Sequence, residues 1–345
     1  MNNRMKVTFT RVATAGIVIS SFLVAFSSGS SSAASTPKKT IEFIQTQTGI
    51  PYYNPLIHGF KTESAKLGLK LIVTGPSNGT ASSQITYIQQ AIVRHVNGIA
   101  IQPDSSTAPL PALRQAKKAG IKIVETNVDS LPQSVRVAGV TALDYSLVAP
   151  SQLAELGKLM NYTGDFAILS ASSTSVFQNQ VVTAMQSLLK TDPKYANMTL
   201  VKVAYGDDVS ATSATQTAAL LTEFPNLKAI TSPTTVGLAA AAQAVESANM
   251  GGKIIVTGLG EPIEMKKFIL DKTVTEYQLW DPANMGIVSA FVLAKSMSGK
   301  SFAPGTRFQV PGSGLGTLKV AKDGNIPCQP GLTTFNLQNV NKYNF

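Results

Sequence analysis

Two stretches of the chain are near copies, Lys66-Leu67-Gly68-Leu69-Lys70-Leu71 and Lys118-Ala119-Gly120-Ile121-Lys122-Ile123. In each, a segment of helical apolar spacing runs into a glycine, and alternating strand residues follow at once. The glycine supplies a left-handed helix cap. Joints this short between helix and strand call for βα units whose strands lie parallel, with helices on both faces of the sheet. The same rhythm predicts strands at 41–45, 69–74, 98–101, 121–125 and 135–141, with helices at 55–67, 84–96 and 108–119. A second run then begins. It predicts helices at 147–160, 178–189, 211–223, 236–248 and 263–270, strands at 165–169, 199–204, 229–231, 253–257 and 273–279, and a helix at 287–295. That many strands fit two successive doubly wound lobes better than one long sheet, and there is no repeat of solenoid length. Beyond residue 301, short alternating runs at 307–310, 318–320 and 333–337 read as edge strands added back across both lobes.

The first 34 residues stand apart from this pattern. Arg4, Lys6 and Arg11 precede an apolar run from 12 to 26, and a small-residue tract ends Ser32-Ala33-Ala34. This is the layout of a cleavable export signal, and the apolar run is short for a membrane span. Retention as an anchor is the alternative. A Ser-rich stretch from 27 to 39, whose part beyond the signal is the linker 35–39, leads into the fold. The lone Cys328 forms no internal disulfide, and the tract Phe26-Ser27-Ser28-Gly29 lacks the cysteine that a lipid-anchored export product needs. The expectation is an exported monomer, in a periplasm or at the outer face of the cell membrane, that is not a Cys-anchored lipoprotein. Losing residues 1–34 removes three of the 29 basic residues and none of the 19 acidic ones, so the formal charge falls from +10 to +7. The basic residues are scattered and do not interleave with aromatics, which argues against nucleic acid as a partner.

Open α/β sheets bind ligands beyond the carboxyl ends of their strands, so the residues placed there matter most. After the first strand comes 46–54, with Thr46, Tyr52 and Tyr53. After the fourth come Asn127 and Asp129. The second lobe offers 170–180, then Pro233-Thr234-Thr235, then Glu261, and finally Trp280-Asp281. Trp280 is the only tryptophan of the chain. An indole covers the C–H face of a sugar ring, and a neighbouring carboxylate accepts two hydroxyl hydrogen bonds. The plainer reading is a core Trp beside a helix-capping Asp281, with Pro282 at the first helical position. Thr234 or Thr235 as a helix cap and Asp129 as a turn former are equally plain. Taken together, these strand ends suit a neutral polyhydroxylated molecule held in a cleft.

Other chemistries lack their residues. His58 and His95 are the only histidines, and each falls in a predicted helix. The usual metal sites and Ser-His or Cys-His nucleophile pairs therefore have no members to draw on. No phosphate-binding glycine loop follows a strand. Asp129, Glu261 and Asp281 would have to serve any carboxylate-pair hydrolysis. The expectation is a binding protein, not an enzyme, with no cofactor and no metal.

From residue 40 to 345 the chain resembles the sugar-binding type of periplasmic binding protein that serves ABC importers. The branch most like it holds rhamnose-binding and autoinducer-2-binding proteins. The matching stretches are Pro51-Tyr52-Tyr53-Asn54, Leu71-Ile72-Val73-Thr74-Gly75-Pro76, Ile99-Ala100-Ile101-Gln102-Pro103, Tyr205-Gly206-Asp207-Asp208, Pro233-Thr234-Thr235-Val236-Gly237 and Leu279-Trp280-Asp281-Pro282. The resemblance implies the type I fold, two Rossmann-like α/β lobes with parallel sheets joined by a hinge. The expected lobes are 40–142 with 282–316, and 143–281 with 317–345. The crossings would lie near 141–144, 280–284 and 312–318. It also implies ligand contacts at Thr46, Tyr52, Tyr53, Asn127, Asp129, Phe177, Gln178, Pro233, Thr235 and Trp280. Autoinducer binders resemble this pattern but carry lysine where Thr46 stands and aspartate where Phe177 stands, so a sugar ranks above autoinducer-2. The implied partners are a small sugar, a membrane permease and, as an alternative role, a chemoreceptor or sensor.

Overall fold

The computed structural model describes residues 38–80 and 82–345; the expected export segment 1–34 and linker residues 35–37 lie outside them. The first lobe runs through β1 (Thr40–Ile44), α1 (Tyr53–Lys66), β2 (Lys70–Thr74), α2 (Ile85–Val93), β3 (Gly98–Ile101), α3 (Leu110–Lys118), β4 (Lys122–Thr126) and β5 (Ala138–Thr141). The second holds α4 (Val148–Met160), β6 (Gly164–Ser170), α5 (Val176–Thr191), β7 (Met198–Tyr205), α6 (Ser210–Glu223), β8 (Leu227–Ser232), α7 (Thr235–Ser247), β9 (Ile255–Gly258), α8 (Pro262–Leu270) and β10 (Glu276–Leu279). After it come α9 (Pro282–Met297), β11 (Arg307–Gln309), β12 (Thr317–Lys319), β13 (Asn325–Pro327) and β14 (Thr333–Asn336).

The near-copy joints behave as expected. Gly68 and Gly120 have φ of +66° and +85°. The residue after each donates back into the helix, Leu69 to the Ser64 carbonyl and Ile121 to that of Ala116. The first sheet is parallel throughout, in the order β13-β5-β4-β3-β1-β2. Strand alternation divides its side chains between two helical layers. Ile41, Phe43, Ala100 and Val124 pack with Leu56, Phe60 and Val288 of α1 and α9. Ile44, Ile99, Ile101 and Ile123 pack with Ile88 and Leu113 of α2 and α3. The second lobe has a parallel sheet β7-β6-β8-β9, extended by a bridge from Leu259 to Gln278 into the antiparallel pair β10-β14.

The third crossing differs from the expectation of 312–318. β11 and β12 pair with each other, and β13 still pairs with β5, so residues up to 327 belong to the first lobe. The chain crosses only between β13 and β14. There Cys328 N donates to the Thr141 carbonyl and Gln329 N to that of Ala142, at 2.9 and 2.8 Å, while Asp281 N donates to Gln329 Oε1 at 3.3 Å. The three crossing segments are thus laced together. Cys328 is buried among them, and burial pushes its thiol well above its usual range.

α1 and α9 meet backbone to backbone. A methyl group at Gly286 would lie 2.1 Å from the Leu56 carbonyl oxygen, and one at Gly59 equally close to that of Ala283. This contact seats the start of α1, where Tyr52 and Tyr53 sit, beside the start of α9, which follows Trp280. Gly286→Ala is expected to cost about 1–3 kcal/mol through overpacking, read from the midpoint of urea unfolding. An unchanged midpoint would show that the two helices separate freely.

Candidate functional site

Strand ends from both lobes surround one cavity of about 830 Å3, part of it open to solvent. From the first lobe come Thr46 and Gln47 after β1, Tyr52 and Tyr53 at the start of α1, Gln102-Pro103-Asp104 after β3, and Asn127 after β4. From the second come Ser172 and Ser175 of the β6–α5 loop with Phe177 and Gln178 on the first turn of α5, then Asp207 and Asp208 after β7, Pro233-Thr234-Thr235 after β8, and Trp280 after β10. Asn127, Asp207 and Asp208 hold left-handed backbones, with φ of +65°, +55° and +51°. Asn and Asp tolerate that region better than other side chains bearing a Cβ, and such outliers gather at functional sites.

The wall is a wired aromatic cluster. Trp280 Nε1 donates to the Tyr52 hydroxyl at 2.7 Å, Tyr52 donates to Asn127 Oδ1 at 2.6 Å, and Asn127 Nδ2 donates to Gln102 Oε1 at 2.7 Å. Tyr145 and Phe177 pack on the indole with ring centroids 5.9 and 5.8 Å away. The Tyr53 and Thr46 hydroxyls share a 2.7 Å hydrogen bond. Burial pushes both the Tyr52 and Tyr53 phenols up, so they remain protonated. Behind the cavity, Gln84 donates to the carbonyls of Gln45 and Gln102 and accepts from Asp104 N, which fixes the ends of β1 and β3 together.

Charge in the cavity has one sign. Asp104, Asp207 and Asp208 line it, and among the described residues no lysine, arginine or histidine does. Burial raises the Asp104 carboxyl. Burial also raises Asp208, to about 6, against a hydrogen bond from the Thr234 hydroxyl and with the added push of Asp104 and Asp207.

Of the side chains singled out from the sequence, Thr46, Tyr52, Tyr53, Asn127, Phe177, Gln178, Pro233, Thr234, Thr235 and Trp280 line this cavity. Three do not. Arg136 holds Asp129 Oδ1 at 3.0 Å, which turns that carboxylate into an adjoining groove. The cavity position is occupied by Asn127 instead. Glu261, 1 % exposed, precedes α8, with burial and Glu264 pushing its carboxyl up to about 8. Asp281 caps α9 by accepting from Ala283 N at 2.9 Å, the plainer of its two readings. Gln102, Asp104, Asp207 and Asp208 were not among the candidates, although they follow β3 and β7 directly. Applying the strand-end rule to those two strands finds them.

Two α/β lobes, three laced crossings and one interlobe cavity define a two-lobed binding protein of the type I kind. The chain belongs to the periplasmic binding proteins: the family model "Periplasmic binding protein domain" matches residues 41–301. Among solved structures, an ABC transporter solute binding protein from Clostridium phytofermentas with bound L-rhamnose is 31% identical. It superposes with a TM-score of 0.83, covering 89% of this chain and 98% of that one. LsrB from Clostridium saccharobutylicum in complex with AI-2 shares the fold at 22% identity and a TM-score of 0.82, over 89% of this chain and 100% of that one. The D-allose-binding periplasmic protein of Escherichia coli is 24% identical over 243 residues, 68% of this chain and 77% of that protein.

Proposed function

We propose that this is an exported solute-binding protein that captures a monosaccharide between its lobes and delivers it to the permease of an ABC importer. The observation that carries this reading is the cavity itself. Each lobe supplies hydroxyl, amide and carboxylate groups, and a buried aromatic cluster forms the wall between them. Hinge closure around a ligand uses the differential contacts that a two-sided cavity provides. The rhamnose complex of the 31%-identical relative supports a sugar ligand. Phe177, packed on Trp280, gives the cavity an apolar edge that suits a deoxy sugar such as L-rhamnose. Thermal shift and calorimetry across pentoses, hexoses and deoxyhexoses, with autoinducer-2 alongside, test this. Tight autoinducer-2 binding with no response to any sugar would overturn it.

Proton dependence follows from Asp208. Sugar hydroxyls that donate to its carboxylate favour the ionised form, so the bound group titrates below the empty one. Binding then releases a proton, and affinity falls as pH drops below about 6. For a single proton the fall is at most about tenfold per pH unit. Calorimetric titrations at pH 5 and pH 7 check this; equal affinities would remove Asp208 from the contact set.

A further inference from the structure

Asp104 comes from the first lobe and is 7 % exposed, yet its Oδ2 has no hydrogen-bond partner among the described residues. Asp208 comes from the second lobe and commits Oδ1 to the Thr234 hydroxyl. Neither these two nor Asp207 joins any of the ion pairs among the described residues. The chain as a whole carries a formal +10, so the anionic lining is a property of the cavity and not of the surface. A buried carboxylate oxygen without a protein donor is costly, so a ligand that supplies the donor gains most from it. A sugar hydroxyl brings one neutral donor. An ammonium brings three donors and a full opposite charge, and charge-assisted bonds are roughly twice as strong as neutral ones.

We infer that the cleft also accepts protonated aminodeoxy sugars, the ammonium seated between Asp104 of one lobe and Asp208 of the other, and that it rejects sugar acids. This rests on the carbohydrate reading of the cleft and adds to it a charge class of ligand. Asp104 and Asp208 then act as specificity determinants that sort ligands of similar ring shape by sign. Closure strengthens the sorting, because excluding water raises the weight of every charge inside.

The test compares glucosamine, galactosamine and mannosamine with glucose, galactose, mannose and their three uronates, by thermal shift and calorimetry at pH 7 and constant salt. At least one amine is expected to bind about tenfold tighter than its neutral parent, and the matching uronate about tenfold weaker or worse. Asp104→Asn and Asp208→Asn keep side-chain shape, and their melting curves report folding. Each is expected to bring the amine and its neutral parent to within about threefold, since only the charge has gone. A uronate that binds as well as its amine would overturn the inference. So would a preference for amines that survives both substitutions, or silence from all nine compounds. The sugar reading has its own panel of pentoses and deoxyhexoses, so a protein that binds L-rhamnose but none of the nine loses only the charge class.

Discussion

Trp280→Ala is expected to weaken sugar binding by about 2–4 kcal/mol, the range of a buried aromatic anchor, or roughly thirty- to a thousandfold in Kd. The indole is 3 % exposed and has three aromatic neighbours, Tyr52, Tyr145 and Phe177. Its N–H also holds the Tyr52 hydroxyl, which in turn holds Asn127. Truncation therefore removes a wall and unties a chain of polar groups on the opposite lobe. The same change is expected to lower stability by about 3–5 kcal/mol, because it leaves a cavity. Trp280→Phe separates the two effects. It keeps most of the packing and loses the N–H, so it should cost about 1–2 kcal/mol of affinity through the unpaired Tyr52. Calorimetry on both variants, after urea unfolding confirms their folding, measures this. Full affinity in the folded alanine variant would take Trp280 out of the site.

Arg136→Ala is expected to destabilise the fold by about 3–5 kcal/mol near pH 8, the cost of stranding a buried partner. That partner is Glu125, fully buried on β4, which accepts from Ser130 N, Ser130 Oγ and Leu131 N as well as from the guanidinium. Arg136 also holds Asp129 and the Asp323 carbonyl. Burial raises the Glu125 carboxyl to about 7, against the pull of Arg136 and the hydrogen bonds. The folded chain thus holds this proton more tightly than the unfolded chain does. The stability that the protonated group contributes is fully present below about 4.5 and is lost as pH rises through about 7. Without the arginine the folded value climbs further. The deficit of the variant should therefore shrink steadily from pH 8 to pH 5, where Glu125 is neutral and needs no counter-ion. Urea midpoints across that range provide the check. A deficit independent of pH would mean that lost packing, not lost charge, dominates.

The glycines at 68 and 120 and the two-faced strands were visible in the sequence because they are local: a helix cap and a period of two need no knowledge of distant partners. Eight cavity residues were legible for the same reason, since a strand end is a local event, while Phe177 and Gln178, on the first turn of α5, were implied by the family resemblance. Asp129 misled because its fate depends on Arg136, seven positions on, which captures the carboxylate before a ligand can. Asp281 carried both readings, and Pro282 at the first helical position was the local sign for the cap that forms. Asp104 and Asp208 were within reach of the strand-end rule, but their burial and mutual field arise only when two lobes face each other. The third crossing was misplaced because β13 is three residues long and has no alternation to read.

The backbone contact between Gly59 and Gly286 fixes more than a helix crossing. It locks the residues just before α9 to the start of α1, and the bond from the indole to Tyr52 fastens the same junction a second time. Although Trp280 follows a strand of the second sheet, it is anchored like a pivot stone in the first. In the hinge closure proposed above, the indole is expected to stay with the first lobe while Phe177, Thr234 and Asp208 travel past it. The sole tryptophan of the chain is then a stationary lamp, and its emission reports the arrival of the opposite wall.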